Sequence, residues 1–134
     1  MSFLDRRHSV APMQFNRWLV PPAALAVHLS IGQIYAYSVF NAPLTKLIGI
    51  THSAPEDWAL ATVGWVFSIA LAVLGASAAL FGTWMERVGP RKAMFVAACC
   101  FGAGFLVAAF GVHVHNIWLV YLGNGVIGGV GLGL

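Results

Sequence analysis

From Ala93 to Leu134 the chain carries no Asp, Glu, Lys or Arg, and from Trp58 to Met85 it carries none either. Between these runs the charge is compressed into Glu86, Arg87, Arg91 and Lys92, within the stretch GTWMERVGPRK. A soluble domain of 134 residues could not hide so much apolar surface, because small domains leave a large share of their surface in water. Composition agrees: 8% of residues are charged, against about 25% in an average soluble domain. The chain reads as an all-α integral membrane protein.

Four apolar segments are each near the ~20 residues that cross a bilayer core as a helix: 18–40, 58–84, 93–112 and 116–134. Pro21 and Pro22 open the first, where missing N–H groups are harmless, and Pro43 with Lys46 closes it. Residues 1–17 read as a polar tail rather than a signal peptide, because the following apolar run exceeds the usual ~7–15 residues and no small-residue cleavage site is present. The ending YLGNGVIGGVGLGL stops inside an apolar run, so the chain is expected to be a fragment of a longer polytopic protein.

Orientation follows from the basic residues between spans. The tail has Arg6, Arg7 and Arg17; the first loop has Lys46 beside Glu56 and Asp57. The second loop has Arg87, Arg91 and Lys92; the third has only His113 and His115. This alternation puts the N-terminus and the 86–92 loop in the cytoplasm, in a multi-pass plasma (inner) membrane protein. Trp18, Trp58, Trp84 and Trp118 sit at the span ends, as an aromatic belt requires.

Composition also excludes several roles. Two basic clusters and a single outlying Lys46 make no basic stripe with interleaved aromatics, so no nucleic-acid partner is expected. Cys99 and Cys100 are adjacent within an apolar run and read as packing residues; no metal or cofactor is expected. No Ser/His/Asp or Cys/His arrangement and no phosphate loop points to covalent catalysis, so the chain is not expected to be an enzyme.

Lipid gives no hydrophobic drive between helices, so association relies on small residues that let backbones approach. Gly125, Gly129 and Gly133 form one stripe on the fourth span, and Gly64, Ser68, Ala72 and Ala76 form another on the second. Both are expected to pack against other helices.

The first span is rich in polar side chains: His28, Ser30, Gln33, Tyr35, Tyr37, Ser38 and Asn41. At 100° per residue, Ser30, Gln33, Tyr37 and Asn41 share one face, and His28, Gly32 and Tyr35 another. Polar residues at membrane depth are costly and face a water-filled path or another helix. His28, Gln33, Tyr35 and Tyr37 are therefore the candidate pathway residues. His28 fits a proton relay, a haem ligand or a neutral group bonded to a neighbouring helix. Tyr35 and Tyr37 fit either hydrogen bonding to a carboxylate or aromatic packing.

Gly82, Glu86, Arg87, Gly89, Arg91 and Lys92 fit G-x-x-x-[DE]-R-x-G-x-R-[KR], which resembles the cytoplasmic signature between the second and third spans of the major facilitator superfamily. The resemblance implies a twelve-helix bundle of which this chain supplies the first four helices. It also implies that these six residues form a latch between the carrier's halves when it faces outward. Glu86 stands where the family more often has Asp. The physics is compatible: Gly82 admits a close helix, Gly89 permits φ > 0, and the basic residues suit anionic headgroups.

NRWLV from Asn16, GQIYAYSVFNAPL from Gly32 and the G-P-R at Gly89 further resemble the oxalate/formate antiporter family. That resemblance implies a small carboxylate substrate, with Tyr35 and its neighbours lining the cavity and the lipid bilayer and remaining carrier helices as partners. The basic residues that hold the anion would come from the second half, since the four spans contain no Lys or Arg at depth. Two other readings stand beside transport by this route: a self-contained four-span dimeric exporter, and a redox or structural membrane subunit. The first lacks a mid-span carboxylate, and the second lacks a second mid-span histidine.

Overall fold

The computed structural model describes residues 11–32, 35–46, 52 and 54–134. Among the described residues every regular element is helical. A 3-10 turn at Arg17–Leu19, opened by Asn16 Oδ1 accepting from the Trp18 N–H at 3.1 Å, leads into α1 (Val20–Ile31). Then follow α2 (Ser38–Thr45), α3 (Leu60–Val88), α4 (Pro90–His113) and α5 (Ile117–Gly133).

Two of these clearly suit a membrane. At ~1.5 Å per residue, the 29 residues of α3 and 24 of α4 give about 43 and 36 Å, beyond the ~30 Å hydrocarbon core. α5 is also apolar but reaches only about 26 Å. The N-terminal tail falls largely on residues 1–10, outside the described residues.

The first apolar segment is not one uninterrupted α-helix. Beyond α1, the Tyr35 and Ala36 N–H groups both donate to the Gly32 carbonyl, Val39 donates to Ala36, and Phe40 to Tyr37. Bonds to the third residue back wind the chain near 3.0 residues per turn rather than 3.6. Ser30 and Tyr37, expected on one face, end differently: Ser30 is exposed on α1, which buries nothing, and Tyr37 is buried.

The loop expected over 86–92 collapses to a single residue. Glu86 and Arg87 belong to the last turn of α3, and Pro90 already begins α4. Gly89 makes the reversal alone, at φ 91° and ψ 157°, a conformation essentially confined to glycine.

The α4–α5 junction ends differently. His115 takes the left-handed position at φ 54°, where glycine is usual. The Asn116 N–H donates to Gly111 O at 2.8 Å and the His115 N–H to Val112 O at 3.1 Å, the paired bonds that close a helix in this way. Asn116 then caps α5, its Oδ1 accepting from the Trp118 N–H at 3.0 Å.

α5 lies between α3 and α4, touching both along its length, while α3 and α4 touch each other little. Glycines on two faces allow this. On one face, a Cβ at Gly125 would come within 3.0 Å of Ile69, one at Gly129 within 2.9 Å of the Ala70 carbonyl, and one at Gly133 would collide with Ser77. On the other, a Cβ at Gly123 would sit 2.5 Å from the Ala108 N, and one at Gly131 2.6 Å from the Phe101 N. The stripe Gly64, Ser68, Ala72 and Ala76 is not the face of α3 that meets α5. Ser68, Ala72 and Ala76 are exposed and Gly64 has open space around it, whereas Val63, Val66, Ala70 and Ser77 are buried.

Candidate functional site

The polar residues of the first segment divide between two sides of the bundle. His28 is exposed, and its Nδ1 donates to the Ala24 carbonyl of its own helix at 3.0 Å, so its partner is not a neighbouring helix. Ser30 likewise donates to Ala26 O at 3.0 Å. Tyr35 is 74% exposed. Gln33 lies outside the described residues. Tyr37, 8% exposed, turns inward and joins the core of Val63, Val66 and Val120.

Behind Tyr37 is a cavity of about 230 Å³. Tyr37, Phe40 and Leu44 wall one side, Phe105, Ala108 and Val112 of α4 another, and Val120 and Asn124 of α5 the third. Asn124 is 7% exposed and is the polar side chain that neighbours Tyr37, yet Tyr37 Oη and Asn124 Oδ1 both lack a well-formed hydrogen bond. Asn124 sits in the middle of a π-helical stretch, Tyr121–Ile127, where the Gly128 N–H reaches back five residues to Gly123 O. Such widened turns often mark functional sites. Asn124 did not stand out in the sequence: lone asparagines between glycines also occur at turns, and a π-turn has no periodic signature.

The helix ends around the α4–α5 junction are tied together. His115 stacks on Trp58 with ring centroids 4.5 Å apart and planes 10° from parallel, and its Nε2 donates to the Glu56 carbonyl at 2.9 Å. Lys46 pairs with Asp57 at 3.6 Å, and Asp57 also accepts from the Ala54 N–H at 3.0 Å. Deeper, the Tyr121 hydroxyl donates to Thr62 O at 2.7 Å, joining α5 to α3.

At the opposite end, Met85, Glu86, Gly89 and Pro90 border an open recess. Arg91 and Lys92 occupy the first turn of α4 and Glu86 the last turn of α3. Helix dipoles disfavour both placements by roughly 0.3–1 kcal/mol per charge. Among the described residues no group of three His, Cys, Asp or Glu could hold a metal ion.

The Major Facilitator Superfamily model matches residues 11–134. The chain is 33% identical over 104 residues to monocarboxylate transporter 1 of Mus musculus, covering 78% of this chain and 20% of that protein. It is 31% identical over 109 residues to monocarboxylate transporter 1 of Homo sapiens, covering 81% and 20%. With the uncharacterized MFS-type transporter YhjX of Escherichia coli (strain K12) it shares 27% identity over 117 residues, covering 87% and 26%. The chain thus spans about a fifth to a quarter of the length of the curated relatives it matches. No solved structure matches it. An apolar helical bundle matched over nearly its whole length by one transporter family identifies an integral membrane protein, and the chain belongs to the major facilitator superfamily.

Proposed function

We propose that the chain supplies the first four helices of a twelve-helix secondary carrier for small organic anions, working by alternating access between two halves. On this reading the spans are those read from the sequence, the N-terminus is cytoplasmic, and the latch residues Gly82, Glu86, Arg87, Gly89, Arg91 and Lys92 meet the other half. The carrier sits in the plasma (inner) membrane. The oxalate/formate resemblance and the monocarboxylate transporter relatives support a small carboxylate as substrate.

The observation that carries the reading is that α1 buries no residue against this chain's own helices, so that His28, and Tyr35 in the turn beyond it, stand outward from them. At membrane depth such groups belong against water or another polar wall, not lipid. A second half facing α1 would turn that side into a path and bring the cation an anion needs. The test is uptake of radiolabelled oxalate, formate and lactate into proteoliposomes of the complete carrier. Saturable uptake of one of them, competed by unlabelled carboxylate, is expected; no uptake of any carboxylate above empty vesicles would discard the anion assignment.

A further inference from the structure

Two helical segments of this chain open on the same residues but for one: Asn16-Arg17-Trp18-Leu19-Val20 and Asn116-Ile117-Trp118-Leu119-Val120. They fold alike at the cap. Asn16 Oδ1 accepts from the Trp18 N–H at 3.1 Å, and Asn116 Oδ1 accepts from the Trp118 N–H at 3.0 Å. Each Asn closes its first turn, and each indole is left exposed. An indole outside the bundle at a span end suits the headgroup boundary, where its apolar ring and its polar N–H are both accommodated.

What stands before the two caps differs. Ahead of Asn116, His115 stacks on Trp58 and donates to the Glu56 carbonyl, so protein contacts hold that start. Ahead of Asn16 the chain makes one turn, the Phe15 N–H donating to the Pro12 carbonyl at 2.9 Å, and leaves Met13 and Phe15 exposed with Trp18. Arg17, where the other start has Ile117, is exposed as well. A cation set among exposed apolar side chains matches a bilayer surface. The apolar groups enter the headgroup–acyl boundary, and a guanidinium pairs with lipid phosphate through its fork of N–H donors. The charge complementarity is with an anionic leaflet.

We propose that residues 13–18 form an anchor for anionic phospholipid. Met13, Phe15 and Trp18 lie in the headgroup–acyl boundary, and Arg17 holds a lipid phosphate. Asn116 to Trp118 is the charge-free counterpart, fixed by protein contacts instead. The anchor rests on the span reading above for placing Asn16 at a membrane face, and owes nothing to the identity of the substrate.

The experiment uses two versions of the 134-residue chain in vesicles, one keeping Trp18 and one keeping Trp118, with the other four tryptophans replaced by Phe. Lipids brominated near the headgroup or deep in the acyl chain quench the indole, in phosphatidylcholine with and without phosphatidylglycerol. Shallow bromine should quench Trp18 more than deep bromine does. Phosphatidylglycerol brominated at the shallow position should quench it at least about twofold more than the matching phosphatidylcholine. That preference should vanish in Arg17→Ile and in ~1 M salt. Trp118 should show no such preference, and Ile117→Arg should create one. Equal quenching of Trp18 by the two headgroups, or a preference that survives Arg17→Ile, would overturn the proposal. A Trp18 reached by neither shallow nor deep bromine would be covered by protein, which would overturn it too. Uptake enters none of these readings, so their failure leaves the transport reading standing, and a carrier without carboxylate uptake leaves the anchor standing.

Discussion

His115 and Trp58 stack face to face, 59 residues after the chain has placed Glu56 within reach of the same imidazole. The stack joins the start of α3 to the α4–α5 junction, so it fixes how α4 ends and α5 enters the bundle. It also explains a histidine at φ 54°: the strained backbone aims the ring at Trp58.

Replacing His115 by Ala removes the stack and the bond to Glu56, contributions of about 0.5–1.5 kcal/mol each, while leaving a Cβ in the left-handed conformation. His115→Gly loses the same contacts but relieves the backbone, and should retain about 1 kcal/mol more stability than the Ala variant. Thermal unfolding in detergent measures both. Equal losses in the two variants would show that the backbone is not strained there.

The α4–α5 contact makes a sharper comparison. A Cβ at Gly123 would stand 2.5 Å from the Ala108 N and 2.6 Å from the Gly104 carbonyl, backbone atoms that cannot give way. At Gly128 the nearest atoms lie 3.4 and 3.6 Å away, ordinary contact. Gly123→Ala should destabilise the bundle by about 1–3 kcal/mol, while Gly128→Ala should change it by less than about 0.5 kcal/mol. Comparable unfolding temperatures for the two variants would contradict the packing described.

How much of this was legible beforehand depended on which physics set each feature. Apolar runs and charge placement are properties of composition, so α3 and α4 fall within a few residues of 58–84 and 93–112. The stripe of Gly125, Gly129 and Gly133 lies against α3 because a flat glycine face admits a backbone whatever the partner is. The partner itself was not legible: small residues mark both a face that meets a helix and one left open, as on α3. In the first segment the 3.6-residue period does set Tyr35 and Tyr37 on different faces, but which face turns inward depended on partners from α3 and α5, and it is Tyr37 that is buried. Asn124 depended on a π-turn and on a tyrosine from another helix, neither of which has a local signature.

Gly89 is the whole of the connection between α3 and α4, and its φ of 91° with ψ of 157° strains any other residue by about 1–3 kcal/mol. Gly89→Val should therefore sharply cut uptake by the complete carrier while membrane insertion remains intact, because the apolar runs that drive insertion are untouched. Proteoliposome flux and surface-exposed protein are the two readouts. Unimpaired uptake would show that the angle of this turn does not matter to the cycle and would remove the latch assignment.

Tyr35 and Tyr37 separate the roles of hydroxyls on the two sides of the first segment. Tyr35 is 74% exposed, so Tyr35→Phe takes away a hydroxyl that nothing in this bundle needs; unfolding stability should stay within about 0.5 kcal/mol of the parent. If that side of the first segment borders the path, the apparent affinity of the complete carrier for carboxylate should fall. Tyr37→Phe should do the reverse for stability. It removes a buried hydroxyl that makes no well-formed hydrogen bond beside Asn124 and keeps the ring packed among Val63, Val66 and Val120, so stability should rise by up to about 1–3 kcal/mol. A carboxylate affinity unchanged by Tyr35→Phe would return that residue to the lipid-facing surface. A loss of stability in Tyr37→Phe would mean that its hydroxyl has found a partner, with Asn124 the nearest polar side chain able to serve.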